Sequence, residues 1–180
     1  MPKPIFVIGA HRSGTTSLSN HLAEHPVIAG VKYDNKEYKY NWGTHESDYF
    51  RSVFNRYGSL KEKNNFIEFI EVISASDYFE LLNVRKEWML KLYPTDYYSF
   101  FERVMDRHAS VNKAEYWLEK SPSHAKYIHE IMSAYPNAKC IAIVRNMKDV
   151  VRSSLHKRNR QKNNDMTLSR VYDMVRSAFA

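Results

Sequence analysis

The chain has 180 residues, 27 of them Lys or Arg and 20 of them Asp or Glu, which gives a formal net charge of +7. That length is enough for one domain with one sizeable core, and we expect residues 1–180 to form it. A single cysteine excludes an internal disulfide and a cysteine-based metal cluster. No apolar run is long enough to span a bilayer, and no signal peptide precedes the first apolar run. We therefore expect a cytoplasmic domain without a membrane partner.

The basic balance favours an anionic ligand, substrate or partner. Basic residues are densest at 145–162, in "RNMKDVVRSSLHKRNRQK". No zinc finger or RNA-binding signature accompanies them, so we expect no nucleic-acid partner. The sequence leaves the oligomeric state open.

The first quarter of the chain predicts a strand, a helix and a second strand. "PIFVIG" at 4–9 is a short apolar run closed by glycine, which is typical of a buried strand. Residues 15–24 suit a helix that Pro26 ends, and "VIAGV" at 27–31 is the next strand candidate. Ser47 is the predicted cap of a further helix, "DYFRSVF".

The remainder predicts an inserted set of helices and two more strands. Residues from about 58 to 112 are helical by periodicity, with Thr95 as the cap of their last helix. "YWLEK" at 116–120 and "AKCIAIVR" at 138–145 predict strands, and Cys140 is expected to be buried in the latter. Strands that alternate with helices predict an α/β fold with a central parallel sheet and helices on both faces. In such sheets ligands bind beyond the carboxyl ends of the strands.

The segment "GAHRSGTTSL" after the first strand fits most of a phosphate-binding loop. Aligned on G-x-x-x-x-G-K-[ST], Gly9 and Gly14 occupy the glycine positions and Thr16 the hydroxyl position. Thr15 stands where the pattern has lysine, and the nearest cation is Arg12. A P-loop-like segment without its lysine suits a shorter and less charged anion than a triphosphate, such as a 5′-phosphate carrying a sulfuryl group, with no divalent metal.

Three segments together resemble sulfotransferases that use 3′-phosphoadenosine 5′-phosphosulfate (PAPS). "HRSGTTSL" is similar to their 5′-phosphosulfate-binding loop, and "AKCIAIVRNMKDVVRSSL" is similar to their 3′-phosphate-binding motif. "WLEKSPSHAKYI" resembles the E-K-[ST]-P-x-[HY] block of the bacterial and Golgi carbohydrate sulfotransferases. The resemblance implies that the product 3′-phosphoadenosine 5′-phosphate (PAP) also binds. The implied binding residues are Arg12, Ser13, Gly14, Thr15, Thr16 and Ser17 in the loop, and Arg145 and Ser153 in the second motif.

The resemblance also implies catalytic roles. Lys120 and Arg12 would stabilise charge around the transferred group. Glu37, in "NKEYKYNW", matches the family's K-E-x-H-F-F segment and would act as the general base, although Lys39 stands at the histidine position. His11 and His124 are the alternative bases.

The predicted function is sulfuryl transfer from PAPS to a hydroxyl or amine, on a small-molecule or glycan acceptor that the sequence does not identify. One alternative is a P-loop kinase or nucleotide triphosphatase with a degenerate loop, and the other is a non-catalytic PAP- or glycan-binding module. "HLAEH", from His21 to His25, also matches an inverted zinc-protease motif, without an evident further ligand. Family members usually continue past the second motif, so we expect this chain to be truncated or a compact variant.

Overall fold

The computed structural model describes residues 1–31 and 45–160, with side chains described to residue 155. Within these residues four strands form one parallel sheet in the order β2-β3-β1-β4. Its strands are β1 (Lys3–Gly9), β2 (Ile28–Gly30), β3 (Tyr116–Lys120) and β4 (Lys139–Ile143). The predicted α/β class with a central parallel sheet is confirmed.

The central strand β1 explains why the sheet is covered on both faces. Its apolar residues alternate: Phe6 and Ile8 pack in one cluster, whereas Ile5 and Val7 pack in the other. Successive side chains of a strand point to opposite faces, so an unbroken apolar run suits a strand buried on both sides. The result is the layered helix–sheet–helix arrangement that the element order predicts.

The described part of the chain has eight helices and one 3-10 helix, of which all but the last helix lie between strands. The helices are α1 (Thr15–Leu22), α2 (Tyr49–Ser52), α3 (Lys63–Ser74), α4 (Asp77–Leu81), α5 (Lys86–Leu90), α6 (Tyr97–Val111), α7 (Ile128–Ala134) and α8 (Met147–Arg160). The 3-10 helix is Pro122–Tyr127 and leads directly into α7. Helices α3 to α6 lie between β2 and β3, where the sequence predicts the helical insertion.

The larger core joins these inserted helices to the sheet through aromatic side chains. Trp117 of β3 meets Phe6 of β1 edge-on, with ring centroids 5.3 Å apart, and Phe101 of α6 at 6.0 Å. Phe101 in turn stacks on Tyr49 of α2 at 4.5 Å. All four side chains are fully buried. Because each buries a large apolar area, truncating one of them to alanine would cost about 3–5 kcal/mol.

Two helix starts differ from the predicted caps. Asp96, not Thr95, caps α6, and its carboxylate accepts a hydrogen bond from the Ser99 amide at 2.9 Å. Helix α2 begins at Tyr49, directly after Asp48 rather than after Ser47. The Ser47 hydroxyl accepts from the Tyr49 amide at 3.3 Å, as a capping side chain does, and it also donates to Glu119, a tertiary partner that local capping rules do not include.

Strand β4 corrects the prediction for Cys140. The prediction of a buried cysteine is wrong, because Cys140 is exposed. In the described residues β4 pairs with β1 alone and is therefore an edge strand. Its composition matches that of a buried strand, so the apolar pattern did not reveal its edge position. No helix in the described residues is long and apolar enough to cross a membrane.

Candidate active site

The carboxyl ends of β1, β3 and β4 meet at one edge of the sheet. In the register of the strands Val7 lies opposite Lys120, and Gly9 lies opposite Ile143. The loop after β1, the E-K-S-P block after β3 and the segment after β4 therefore start side by side. The first of these three segments is more than 100 residues away from the other two along the chain, and this placement brings all three together.

Two glycines shape the loop between β1 and α1. Gly9 has a φ of 152°, and a Cβ atom there would lie 2.6 Å from the Ile143 carbonyl oxygen, so only glycine fits beside β4. Gly14 has a φ of 107° and precedes α1 directly, and no described side chain caps that helix. The first amides of a helix have no partner within the helix. Such amides, together with the helix dipole, favour a negatively charged group at a helix start.

Ser13 adds a polar group to this loop. The residue is buried, and its hydroxyl oxygen has no hydrogen-bond partner among the described residues. Leaving a buried hydroxyl unpaired costs about 1–3 kcal/mol. An anionic ligand in the loop would satisfy it, so this hydroxyl is a donor that the loop offers to a ligand.

Arg12 connects the loop to the second predicted motif. Its Nε donates to the Ser153 hydroxyl at 3.2 Å, and the Arg145 guanidinium donates to the Arg12 carbonyl oxygen at 3.1 Å. Arg12 has a φ of 70°, a backbone conformation that non-glycine residues rarely adopt. The structure thus places Arg12, Arg145 and Ser153 together, although α8 and the loop are far apart in sequence. Arg12 lies at the Ser153 end of the site, and the sequence alone did not place it there.

Lys120 also lies beside the start of α1. Its Nζ is 2.6 Å from the Glu46 Oε1 atom and 3.3 Å from the Thr16 hydroxyl oxygen. The His45 Nε2 atom is 3.5 Å from the same hydroxyl and 3.7 Å from the Glu46 carboxylate. Lys120 and Thr16 therefore meet as the motifs imply, and they meet together with two residues that the sequence analysis did not single out.

The burial of Lys120 sets its electrostatics. The residue is only 3% exposed. Burial lowers the pKa of the Lys120 ammonium below its ordinary value, and the Glu46 carboxylate opposes this effect because it favours the charged form. A buried ammonium next to a helix start and a hydroxyl can stabilise negative charge that develops there.

Glu119, next to Lys120, points into a buried network instead. We call the residues involved the Glu119 network: Ser47, Asp48, Glu119, Ser121, Ser123 and His124. Glu119 Oε1 accepts from the hydroxyls of Ser47 at 2.7 Å and Ser121 at 2.6 Å, and Glu119 is fully buried. Burial alone would raise the pKa of this carboxyl, but His124 and the hydroxyl donors outweigh it and lower the pKa.

His124 belongs to this network and not to the ligand edge. Its Nε2 accepts from the Phe50 amide at 3.3 Å, so the proton is on Nδ1, which donates to Glu119 Oε2 at 2.8 Å. Both ring nitrogens are used and the side chain is fully buried. The hypothesis that His124 is the general base is therefore wrong, because no ring nitrogen is left for an acceptor.

The network also holds the segment that carries Glu46. The Asp48 amide donates to the Ser121 hydroxyl at 2.9 Å, and the Ser123 hydroxyl donates to the Asp48 carboxylate. Burial would raise the pKa of Asp48, but the hydrogen bonds from Arg51, Ser123 and Ser52 lower it. The E-K-S-P-S-H block thus sends Lys120 to the ligand edge and uses its other polar residues to fix residues 47–50.

The remaining predicted residues fall in different places. Thr15 is buried in the first turn of α1, whereas His11 and Ser17 are exposed. Glu37 lies outside the described residues. The His21 Nδ1 donates to the Ser17 carbonyl oxygen at 2.9 Å. In residues 1–31 and 45–160 no group of three His, Cys, Asp or Glu side chains could hold a metal ion.

Sequence reasoning missed His45 and Glu46. They follow an aperiodic polar segment and precede α2, which is the pattern of a functional loop. The pairing of Glu46 with a lysine 74 residues away is a tertiary contact that has no local signal. The sequence indicates a role for these two polar residues only through their position before an aromatic helix.

A parallel α/β sheet with a glycine-containing loop between its first strand and the following helix defines a P-loop-like class of protein. A family model described as "Sulfotransferase family" matches residues 4–179. No match was found among curated proteins. Since the family match covers nearly the whole chain, the chain belongs to the sulfotransferase family.

Proposed function

We propose that this protein transfers a sulfuryl group from PAPS to a hydroxyl or amine acceptor. Family membership supports sulfuryl transfer in general. The observation that carries the proposal is the meeting of Arg12, Arg145, Ser153 and Lys120 around one helix start at the carboxyl edge of the sheet.

The residues present fit an adenine nucleotide with a phosphosulfate and a separate phosphate. The unpaired hydroxyl of Ser13 and the uncapped start of α1 offer donors to a first anionic group. Arg145 and Ser153 offer a guanidinium and a hydroxyl to a second anionic group. Arg12 contacts both of these residues. When bound, PAPS would supply a sulfuryl group activated by its anhydride linkage to the 5′-phosphate.

The chain's own residues then have distinct roles. Lys120 directs its ammonium at the first turn of α1 and would stabilise charge on the transferred group and its leaving oxygen. Thr16 would orient that ammonium through its hydroxyl. Sulfuryl transfer to a neutral hydroxyl also needs a base, and a positioned base contributes about 10²–10⁴-fold. We propose Glu37 for this role, with His11 as the alternative.

The donor side and the acceptor side rest on different support. The described contacts group the residues that we propose for donor binding, whereas the proposed acceptor class, a glycan or a small alcohol, rests on the sequence. A cytoplasmic location is likewise a prediction from the sequence.

A transfer assay tests the proposal. The protein is incubated with PAPS and a panel of glycan and small-alcohol acceptors, and both PAP release and the mass of the sulfated product are measured. We expect product with at least one acceptor. Glu37→Gln should abolish most of that turnover and keep PAP affinity, while His11→Asn should have the milder effect. Absence of any product, with tight PAP binding, would contradict transfer and favour a non-catalytic binding module.

A further inference from the structure

We propose that Glu46 is a positioning residue that keeps the buried Lys120 protonated and aimed at the start of α1. This inference rests on the proposed function and adds a residue that no sequence motif indicates. Glu46 acts through Lys120 and has no described contact with the donor loop itself.

The geometry is that of a short, partly sheltered ion pair. The Lys120 side chain is 2% exposed and the Glu46 side chain 23%, with 2.6 Å between Nζ and Oε1. The other groups that face the ammonium are the Thr16 hydroxyl at 3.3 Å and the more distant Glu119 carboxylate. His45 approaches Glu46 from the side at 3.7 Å. Glu46 is therefore the charged group in direct contact with Lys120 in the described part of the chain.

The backbone that carries Glu46 is fixed by the Glu119 network. The next two residues along the chain, Ser47 and Asp48, are bound to Glu119 and Ser121. Both partners belong to the block that also carries Lys120. One block of sequence thus supplies the lysine and fixes the segment that carries its carboxylate partner, which limits the ways in which the pair can separate.

The consequence is a lysine whose charge depends on its partner. Burial favours the neutral amine, whereas the carboxylate favours the ammonium. Only the ammonium can donate three hydrogen bonds and carry positive charge toward a developing anion. If the carboxylate becomes an amide, the pKa of Lys120 falls and the active form is lost at a lower pH than in the parent protein.

Glu46→Gln tests this inference and has a matched control. The chain has a second Lys–Glu pair of the same 2.6 Å length, Lys86 with Glu71, on the exposed surface and away from the site. Glu71→Gln therefore removes an equivalent ion pair without touching the proposed machinery. Glu46→Asp keeps the charge and shortens the side chain by one methylene group.

The first readout is turnover from PAPS as a function of pH. We expect the alkaline limb of the Glu46→Gln profile to move to lower pH, with turnover at pH 8 reduced about tenfold or more. Glu46→Asp should restore part of the limb, and Glu71→Gln should overlay the parent. A Glu46→Gln profile with the parent's shape would overturn the inference, because a merely structural loss would lower the curve without moving it.

The second readout does not require activity. Trace acetylation followed by mass spectrometry measures the reactivity of each lysine against pH, and neutral amines react. The midpoint for Lys120 should move to lower pH in Glu46→Gln, while that of Lys86 should not. An unchanged Lys120 midpoint would contradict the pairing. If the parent protein transfers nothing but the midpoint moves, the proposed function fails and the role of Glu46 as partner of Lys120 stands.

Discussion

The apolar core around the inserted helices and the polar carboxyl edge of β3 are stabilised in different ways. The inserted helices α3 to α6 meet the sheet through apolar side chains such as Phe69, Phe100 and Phe101, all fully buried. The carboxyl edge of β3 buries Glu119, Lys120 and His124 instead, each with a defined partner. Apolar packing tolerates changes that keep volume, whereas a buried charge tolerates no loss of its partner. The edge is thus the more fragile of the two regions.

Glu119→Gln should give the largest effect, because it removes a buried charge from four donor groups while keeping its shape. We expect a loss of about 3–5 kcal/mol in the free energy of unfolding. The matched change in the apolar region, Ile70→Leu, should cost less than about 1.5 kcal/mol. Urea unfolding of both variants makes the measurement. Equal costs would show that the two regions do not differ in tolerance.

Lys120→Met tests whether the polar edge can lose activity while the protein keeps its stability. Turnover from PAPS should fall by about 10²–10³-fold, since one donor to the developing charge is lost. The variant should fold, because Met matches the length of Lys and the Glu46 carboxylate that loses its partner is partly exposed to solvent. Circular dichroism and the transfer assay together check this. Turnover within a factor of about two of the parent would remove Lys120 from the mechanism.

Arg145→Ala tests the proposed binding of the 3′-phosphate. It should cost about 1.5–3 kcal/mol in PAP binding, or roughly ten- to a hundredfold in affinity, because a charge-assisted contact to the 3′-phosphate is lost. Ser153→Ala should cost less, since its hydroxyl is neutral. Adenosine 5′-phosphosulfate, which lacks the 3′-phosphate, should bind both variants nearly as it binds the parent. A similar loss for that ligand would indicate that Arg145 supports the loop instead.

As the pH falls, the polar edge should be destabilised at a higher pH than the apolar region. This is the smallest of the expected effects, and it should appear near pH 4. The carboxyls of Glu119 and Asp48 both have pKa values below the ordinary values of 4.5 and 3.8. A lowered pKa in the folded state contributes stability that is present above the ordinary value and is lost as the pH falls through the folded value. The melting temperature should therefore decline below about pH 4.5.

The control for this acid effect is a pair of variants. Asp48→Asn should show a shallower decline of the melting temperature than the parent, whereas Ile70→Leu, which adds or removes no titrating group, should keep the parent's slope. Parallel slopes for all three proteins would place the acid-sensitive groups elsewhere.

Much of the fold was predictable because its signals are local. Residues 116–120 form β3 as predicted, and the glycine-closed run after Pro4 forms β1, since periodicity and glycine act within a few residues. The exposure of Cys140 was not predictable, because an edge strand and a central strand have similar composition.

The candidate site was predictable where a motif carries it and not where tertiary contacts complete it. Gly9 and Lys120 lie at strand ends that the parallel fold brings to one edge, and Gly14 lies at the start of the helix that follows β1. The pairing of Glu46 with Lys120 and the burial of His124 depend on how residues 45–50 cross the end of β3, and no spacing along the chain encodes that path. A histidine in a motif can therefore be a structural partner rather than a base.

The most direct test of the central claim is the ligand that the edge selects. Isothermal titration calorimetry would compare PAP, ADP and ATP, each with and without Mg²⁺, on the parent protein. Since the loop lacks the triphosphate lysine, and Arg145 and Ser153 are proposed to bind a separate phosphate, we predict that PAP binds without metal and at least about tenfold more tightly than ATP. Equal affinity for ATP, or a strict requirement for Mg²⁺, would contradict the account and favour a nucleotide kinase or triphosphatase.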